Sequence, residues 1–159
     1  MNLLYISNDI NEVKKMYDVK DIANWFLIYN SYMETNQGAD GISNLKLQKL
    51  LYYAQSAYLA LKNTPLFSNN IVAWNHGPIV EEVYQKYKKY GSDDIKEFDK
   101  VDIDKETEKI LTEVYNIFGE YSAWGLRNLT HTEKPYIETK INNVIPQDLM
   151  KESFKENYV

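Results

Sequence analysis

Apolar side chains recur at three- and four-residue steps over most of the chain, which is the period of amphipathic helices. Gly, Pro and polar clusters interrupt the pattern, and residues that commonly cap helices precede several apolar stripes. The pattern therefore predicts an all-α, mostly helical protein with about six helices. We expect these helices at Val19 to about Thr35, Ser43 or Asn44 to about Lys62, Pro78 to Tyr90, Asp104 to Gly119, Ser122 to about Leu129, and Ile145 to about Tyr158.

Three segments depart from the helical period. Ile71–Trp74 is short and rich in β-branched residues, which predicts a short strand or an extended strut. Gly77-Pro78 predicts a turn and then a helix that starts at Pro78, because the first helical turn leaves its N–H groups unbonded and Pro has none. Residues 130–136 are polar and contain Pro135, so we expect a loop.

The length of 159 residues predicts a single compact domain, and 44% hydrophobic residues are enough to form a core. Residues 1–17 are expected to form an irregular or partly helical N-terminal lead-in. Residues 18–159 are expected to form the helical domain.

Composition narrows the possible functions. The net charge is −5. Three lysines, Lys86, Lys88 and Lys89, lie together at a predicted helix end, where positive charges interact favourably with the helix macrodipole. We therefore expect no direct DNA binding. The chain has no Cys, which excludes disulfides, thiol catalysis and Cys-based zinc sites. No signal peptide or membrane-spanning run is visible, so a cytoplasmic protein without membrane association is expected.

Catalytic patterns are missing from the sequence. The two histidines, His76 and His131, have no zinc-ligand spacing, and no nucleophile elbow or glycine-rich phosphate loop is present. The sequence therefore predicts no catalytic residue, no metal and no cofactor. The enzyme alternative, in which both histidines do acid–base work in one cleft, stays open.

Three motifs carry a family resemblance. The first reads L-K-L-Q-K-L-L-Y-Y-A-Q over residues 45–55, and the second runs from Pro65 to Tyr84 and contains A-W-N-H-G-P-I-V. The third is L-T-H-T-E-K-P-Y at residues 129–136. In order and spacing they resemble the Panacea-domain family of SocA-like antitoxins and phage-associated proteins. The resemblance covers about residues 18–140, and Tyr136 departs from it because the family typically has Trp there.

The resemblance implies a mostly helical antitoxin that neutralises a cognate toxin by direct contact. An alternative that it also implies is an adaptor that delivers its partner to a cellular protease. Some members carry an additional helix-turn-helix domain, which we do not expect here because about seventeen residues precede the first predicted helix. The acidic net charge would speed association with a basic toxin.

The motif residues have two interpretations. Periodicity predicts that one face of the first motif helix is core, and Tyr52, Trp74 and Pro78 suit the core as well. The core face comprises Leu47, Leu50, Leu51, Ala54, Tyr58 and Leu61, with Lys46, Gln48, Lys49 and Tyr53 toward other faces. In the second interpretation, the loop of His131 folds against the turn of His76 to form a polar and aromatic groove for a partner segment. The partner-binding candidates are Lys46, Gln48, Lys49, Tyr53, Trp74, His76, Gly77, Pro78, His131 and Glu133.

Overall fold

A helix of 19 residues, Asn44–Lys62, lies at the centre of the computed structural model, which describes residues 16–159. Every residue from Lys46 to Leu59 is buried. The described part of the chain contains seven α-helices, of which this central helix is the second, and one two-stranded sheet. In chain order they are α1 (Val19–Gln37), α2 (Asn44–Lys62), β1 (Val72–Trp74), β2 (Gly77–Ile79), α3 (Glu81–Tyr87), α4 (Lys105–Phe118), α5 (Ala123–Thr130), α6 (Lys134–Ile137) and α7 (Gln147–Tyr158).

Side-chain caps set the starts of four helices, as the sequence predicts. Asp18, Ser43, Asp104 and Ser122 each have extended backbone and accept a hydrogen bond from an N–H group in the first turn. At the other end of α1, Gly38 adopts φ +70° and closes the helix. The predicted mostly helical, single-domain architecture is confirmed.

Helix α2 contacts most other elements, since α1, α3, α4, α5, α7 and β2 all pack on it. The predicted apolar face is buried, with Leu61 only half-buried. The prediction that the other side chains point away from the core is wrong, because neighbours enclose the helix on every side. The residues concerned are Lys46, Gln48, Lys49 and Tyr53, at 5%, 0%, 0% and 1% exposure.

The region around Pro78 also differs from the prediction. Residues 72–79 form an antiparallel hairpin in which Pro78 lies opposite Ala73, so Pro78 belongs to a strand and does not open a helix. Helix α3 begins only at Glu81, and a 3₁₀ turn at Lys88–Tyr90 continues it to Gly91. The turn between the strands depends on Gly77, whose φ is +105°.

The C-terminal third is tied to this hairpin. Asn142 N donates to Ala73 O at 2.7 Å, Ala73 N donates to Asn143 O at 3.0 Å, and Ile145 N donates to Ile71 O at 2.7 Å. Because Ile145 is bonded to Ile71 and Pro146 has extended backbone, the last helix starts at Gln147 rather than at the predicted Ile145. The segment predicted as a loop contains the short helix α6, with Pro135 in its first turn.

The predicted lead-in, residues 1–17, lies outside the described residues except for its last two. Tyr17 N donates to Leu66 O at 2.9 Å, which joins the start of the described chain to the loop after α2. The division at residue 17 stays a prediction. None of the described helices has the length and apolar character needed to cross a membrane.

Gly77→Ala is expected to destabilise the fold more than Gly91→Ala. A methyl group on Gly77 would lie 2.7 Å from Lys49 Cε and 2.9 Å from Thr130 Oγ1, whereas none of the described atoms lies within 4 Å of one on Gly91. Both glycines have positive φ, so both changes strain the backbone. We expect Gly77→Ala to cost about 1–3 kcal/mol more. Urea unfolding of both variants measures this difference, and equal costs would show that the turn is not crowded.

Candidate functional site

The structure brings the three sequence motifs together around the N-terminal half of α2. The hairpin lies against α2, and α5 packs beside it. The Tyr136 hydroxyl, from the third motif, donates to Trp74 O at 2.7 Å and to Asn75 O at 3.3 Å. Tyr136 thus fastens the α5–α6 segment to the hairpin tip. This is the residue that departs from the family resemblance described above.

Amide side chains of α2 hold the hairpin and α3 in place. The Gln48 amide donates to Asn44 Oδ1 at 2.9 Å, and its oxygen accepts from Val80 N at 2.8 Å. Asn44 in turn donates to Tyr84 O at 3.0 Å. Because Val80 is the N-cap residue of α3 and makes no side-chain cap, Gln48 satisfies a backbone N–H at the start of that helix. Gln55 acts similarly farther along α2, accepting from Leu66 N at 2.7 Å.

Two lysines of α2 are buried and bonded to carbonyl oxygens. Lys46 Nζ donates to Gly119 O at 2.6 Å, beyond the end of α4, and Lys49 Nζ donates to Pro78 O at 3.0 Å. Burial lowers the pKa of both amines, and for Lys49, where the charge of Arg127 adds to the effect, the pKa falls to about 7. Lys49 thus loses much of its preference for the charged form.

Glu133 links three helices through its carboxylate. It accepts from the Tyr53 hydroxyl of α2 at 2.7 Å and from the Tyr158 hydroxyl of α7 at 2.5 Å, and it directly precedes α6. Burial raises the pKa of Glu133, although the two hydroxyl bonds oppose this shift. Tyr53 also stacks on Phe118 of α4, with ring centroids 3.8 Å apart. These contacts make Glu133 a junction of the core.

The hairpin tip is the exposed part of the motif region. Asn75 and His76 are exposed and Trp74 is half-buried, its ring 5.0 Å from that of Tyr84. Beside the tip lies a groove of about 580 Å³ with both polar and apolar walls. Its lining consists of Asn44, Leu45, Gln48, Trp74, Asn75, His76, Ile79, Tyr84, Lys88, Gly91, Ser92, Ile141 and Asn142.

His131 is not among the residues that line this groove. It caps the C-terminus of α5, and its ring stacks on Tyr136 with centroids 4.2 Å apart. Burial lowers the pKa of His131, and the positive charges of Arg127, Lys49 and His76 lower it further. The loop of His131 does fold against the turn of His76, but His131 does not line the groove.

The predicted site residues therefore fall into two groups. Trp74, His76 and His131 are exposed or half-buried. The others are buried and either bonded within the chain or part of the packed hairpin: Lys46, Gln48, Lys49, Tyr53, Gly77, Pro78 and Glu133. Direct contact with a partner stays a prediction for the first group. The side chains of the second group cannot reach a partner unless the fold opens.

Sequence reasoning missed several residues of this region. Asn44 was seen only as a helix cap, although its side chain reaches α3. Arg127 and Trp124 were unremarked, yet the Arg127 guanidinium lies 4.5 Å from the Trp124 ring centroid and the His76 ring 5.5 Å from it. Their spacing of three residues on one helix, Trp then Arg, is the signal that could have indicated this pair.

The described contacts give no nucleophile beside the histidines. The Thr130 hydroxyl, next to His131 in sequence, donates to Arg127 O at 2.7 Å within its own helix. No cluster of three or more potential metal ligands occurs in residues 16–159.

Glu133→Gln should change how stability depends on pH. The pKa of Glu133 in the folded protein is raised above 4.5, its value in the unfolded chain. Above pH 4.5 the folded state therefore binds the Glu133 proton more strongly than the unfolded chain does. The stability of the wild type, relative to Glu133→Gln, should therefore fall as pH rises from about 4.5. Chemical unfolding at a series of pH values measures this difference. Glu152→Gln, at an exposed site on α7, controls for the lost charge, and a pH-independent difference for Glu133→Gln would contradict the expectation.

Lys49→Met should show the opposite trend. The folded state holds the Lys49 proton more weakly than the unfolded chain, since the pKa falls from 10.5 to about 7. Between these values the unfolded state carries the extra proton, so the wild type should gain stability relative to Lys49→Met by up to about 1.4 kcal/mol per pH unit. Parallel urea titrations across this range test it, and a flat difference would mean that Lys49 keeps an ordinary pKa.

Comparison with known proteins assigns the region to a family. The chain matches the family described as "Antitoxin SocA-like, Panacea domain" over residues 47–137, more than half of its length. It is similar to Antitoxin SocA of Caulobacter vibrioides (strain NA1000 / CB15N), with 44% identity over 50 residues, which is 31% of this chain and 27% of that protein. The chain thus aligns with about a quarter of that relative. No solved structure matches. The matched range contains the hairpin, α5 and α6, and the chain belongs to the SocA-like antitoxin family with the Panacea domain.

Proposed function

We propose that the protein neutralises a cognate toxin by binding it directly. The observation that carries this proposal is the match to the SocA-like antitoxin family over residues 47–137. An antitoxin does its work by recognition, which agrees with a motif region built of caps, amide networks and stacked rings. It needs no reaction centre.

The surface beside the hairpin supports recognition of a folded or extended partner segment. Trp74 supplies apolar area that is held in position by Tyr84, and Asn75 and Asn142 supply groups that can bond to backbone. Interfaces are typically anchored by a few aromatic side chains in pockets, with polar groups around them. A groove of about 580 Å³ is large enough to take one or two side chains of a partner.

The buried motif residues would contribute to binding by holding this surface rigid. Gln48 bonds to Val80 and Lys49 bonds to Pro78, so β2 and the start of α3 are tied to α2. A surface that is ordered before binding loses less conformational entropy when the partner docks. We therefore assign direct contact to Trp74 and His76, and with them to His131, while the buried residues support these from beneath.

The test uses the product of the neighbouring open reading frame as the candidate toxin. It should arrest growth alone and not when co-expressed with this chain, and the two proteins should bind when purified. The double variant His76→Ala with His131→Ala should weaken binding by about tenfold or more, as expected for loss of interface anchors. Tyr32→Ala, a similar truncation of a 61% exposed ring on α1, should have little effect.

Mixing the purified proteins also separates the two modes of action. Neutralisation of the toxin in the absence of any protease supports direct binding. If the toxin is inhibited only when a protease is present, the chain acts as an adaptor. A harmless neighbour that does not bind would overturn the antitoxin proposal for this pair.

A further inference from the structure

Four basic side chains lie near one another between α2, the hairpin and α5: Lys49, His76, Arg127 and His131. We call them the cationic cluster. Lys49 Nζ lies close to Gly77, because a methyl group added to this glycine would be 3.3 Å from the Lys49 nitrogen. His76 and Arg127 both face the Trp124 ring, and the charges of the other three members all lower the pKa of His131.

Among residues 16–159, no acidic side chain forms an ion pair with the cationic cluster. The ion pairs among the described residues join Lys20 to Asp18 and Glu82, Lys62 to Glu106, and Lys89 to Glu97, and none includes a member of the cluster. This is unexpected in a chain with a net charge of −5. Arg127 is the member that stays charged, and an anion beside it would favour the protonated forms of Lys49 and His131, whose pKa values their surroundings lower.

Hydrogen-bonding capacity in the cationic cluster is also unused. Arg127 Nε and His131 Nε2 are buried atoms without a hydrogen-bond partner among the described residues. Arg127 uses one of its other nitrogens to reach Asn128 Oδ1 at 3.0 Å. Buried polar atoms are rarely left unbonded in a folded protein, so each such atom calls for a specific explanation. A ligand with oxygen acceptors would supply the missing bonds.

Three members of the cationic cluster, His76, Arg127 and His131, are exposed or half-buried beside an exposed aromatic patch, whereas Lys49 is buried. His76 is exposed, and Trp124 and Tyr121 are 53% and 42% exposed. The exposed Trp124 ring and the Arg127 guanidinium that stacks on it are residue types that often contribute most of the binding free energy at protein interfaces. The patch thus combines apolar area with positive charge at one place.

We propose that Arg127 and His131 of the cationic cluster bind a carboxylate of the partner protein, with the Trp124 ring packing against the residues that flank that carboxylate. This proposal rests on the proposed function, and it names the chemistry of the toxin surface that is recognised. A carboxylate matches the Arg fork in shape, and it can accept from Arg127 and His131 together. A phosphate of a nucleic acid is the less favoured occupant, because the chain as a whole is acidic.

The first experiment probes the isolated protein by NMR. Sodium acetate, compared with sodium chloride at equal ionic strength, should shift the Arg127 Nε–Hε and His131 ring signals in a saturable manner. Arg127→Gln, which keeps most of the side chain, should abolish the His131 shift. Absence of a saturable shift, or an unchanged His131 shift in Arg127→Gln, would overturn the proposal. Stronger binding of inorganic phosphate or of oligouridylate than of acetate would also overturn it.

The second experiment uses the complex with the neighbouring gene product. Arg127→Glu should weaken binding by about 100-fold, the loss expected when one member of a desolvated charge pair is reversed or removed. Lys105→Glu makes the same charge change at an exposed position at the start of α4, where a carboxylate is tolerated by the helix. It should leave the affinity within about threefold. Far-UV circular dichroism and thermal unfolding show whether each variant is folded.

Charge exchange identifies the carboxylate itself. A library of partner variants, selected for binding to the Arg127→Glu chain, should be enriched in Asp or Glu to Lys or Arg changes. If Arg127→Glu binds the unaltered partner as well as the wild type does, the proposal fails while the antitoxin function stands. If the wild type binds no partner, the antitoxin proposal fails, and the acetate experiment still decides whether the cationic cluster takes a carboxylate.

Discussion

The structure depends on the burial of α2 from Lys46 to Leu59, a stretch that carries lysine, amide and hydroxyl side chains along with its leucines. Each buried polar group has to be satisfied by a neighbouring element, because an unbonded one costs about 1–3 kcal/mol. Gln48 therefore specifies where α3 starts, and Lys49 specifies where β2 lies. Apolar packing alone would allow several arrangements of the outer elements around α2. The polar side chains select one of them, since each bonds to a particular backbone atom.

This constraint connects the core to the exposed hairpin tip. The tip is exposed to solvent, yet other elements bond to both of its strands. Lys49 bonds to β2, Tyr136 bonds to the end of β1, and residues 142–145 bond along β1 and to the residue before it. A short two-stranded hairpin is marginally stable by itself, so these bonds are what keep it ordered. The motif residues that are buried and those that are exposed thus serve one feature, a rigid loop presented on a helical frame.

The sequence predicted those parts of the fold that local chemistry determines. Asp18, Ser43, Asp104 and Ser122 start helices through bonds to N–H groups two or three residues away, and such signals can be read from a short window. Pro78 was misplaced because its strand is set by Gly77 and Ala73 and by a lysine of another helix. Likewise, periodicity put Gln48 and Tyr53 on outer faces, since it cannot show that neighbours surround a helix on all sides. Of the site, the sequence offered the contact between the His131 loop and the His76 turn only as one of two interpretations, and it did not indicate the pairing of Arg127 with Trp124.

Two ionisable centres beside α2, the buried Glu133 and the half-buried pair Arg127 and His131, differ in a way that separates stability from recognition. Glu133 is satisfied by two tyrosine hydroxyls and needs nothing from outside the chain. Arg127 and His131 each keep a buried nitrogen unbonded in the described structure, and they lie among other cations. If these groups served the fold alone, apolar residues of similar size would be no less stable there. An anion that binds there would supply the missing hydrogen bonds, and their free energy would contribute to binding and not to folding.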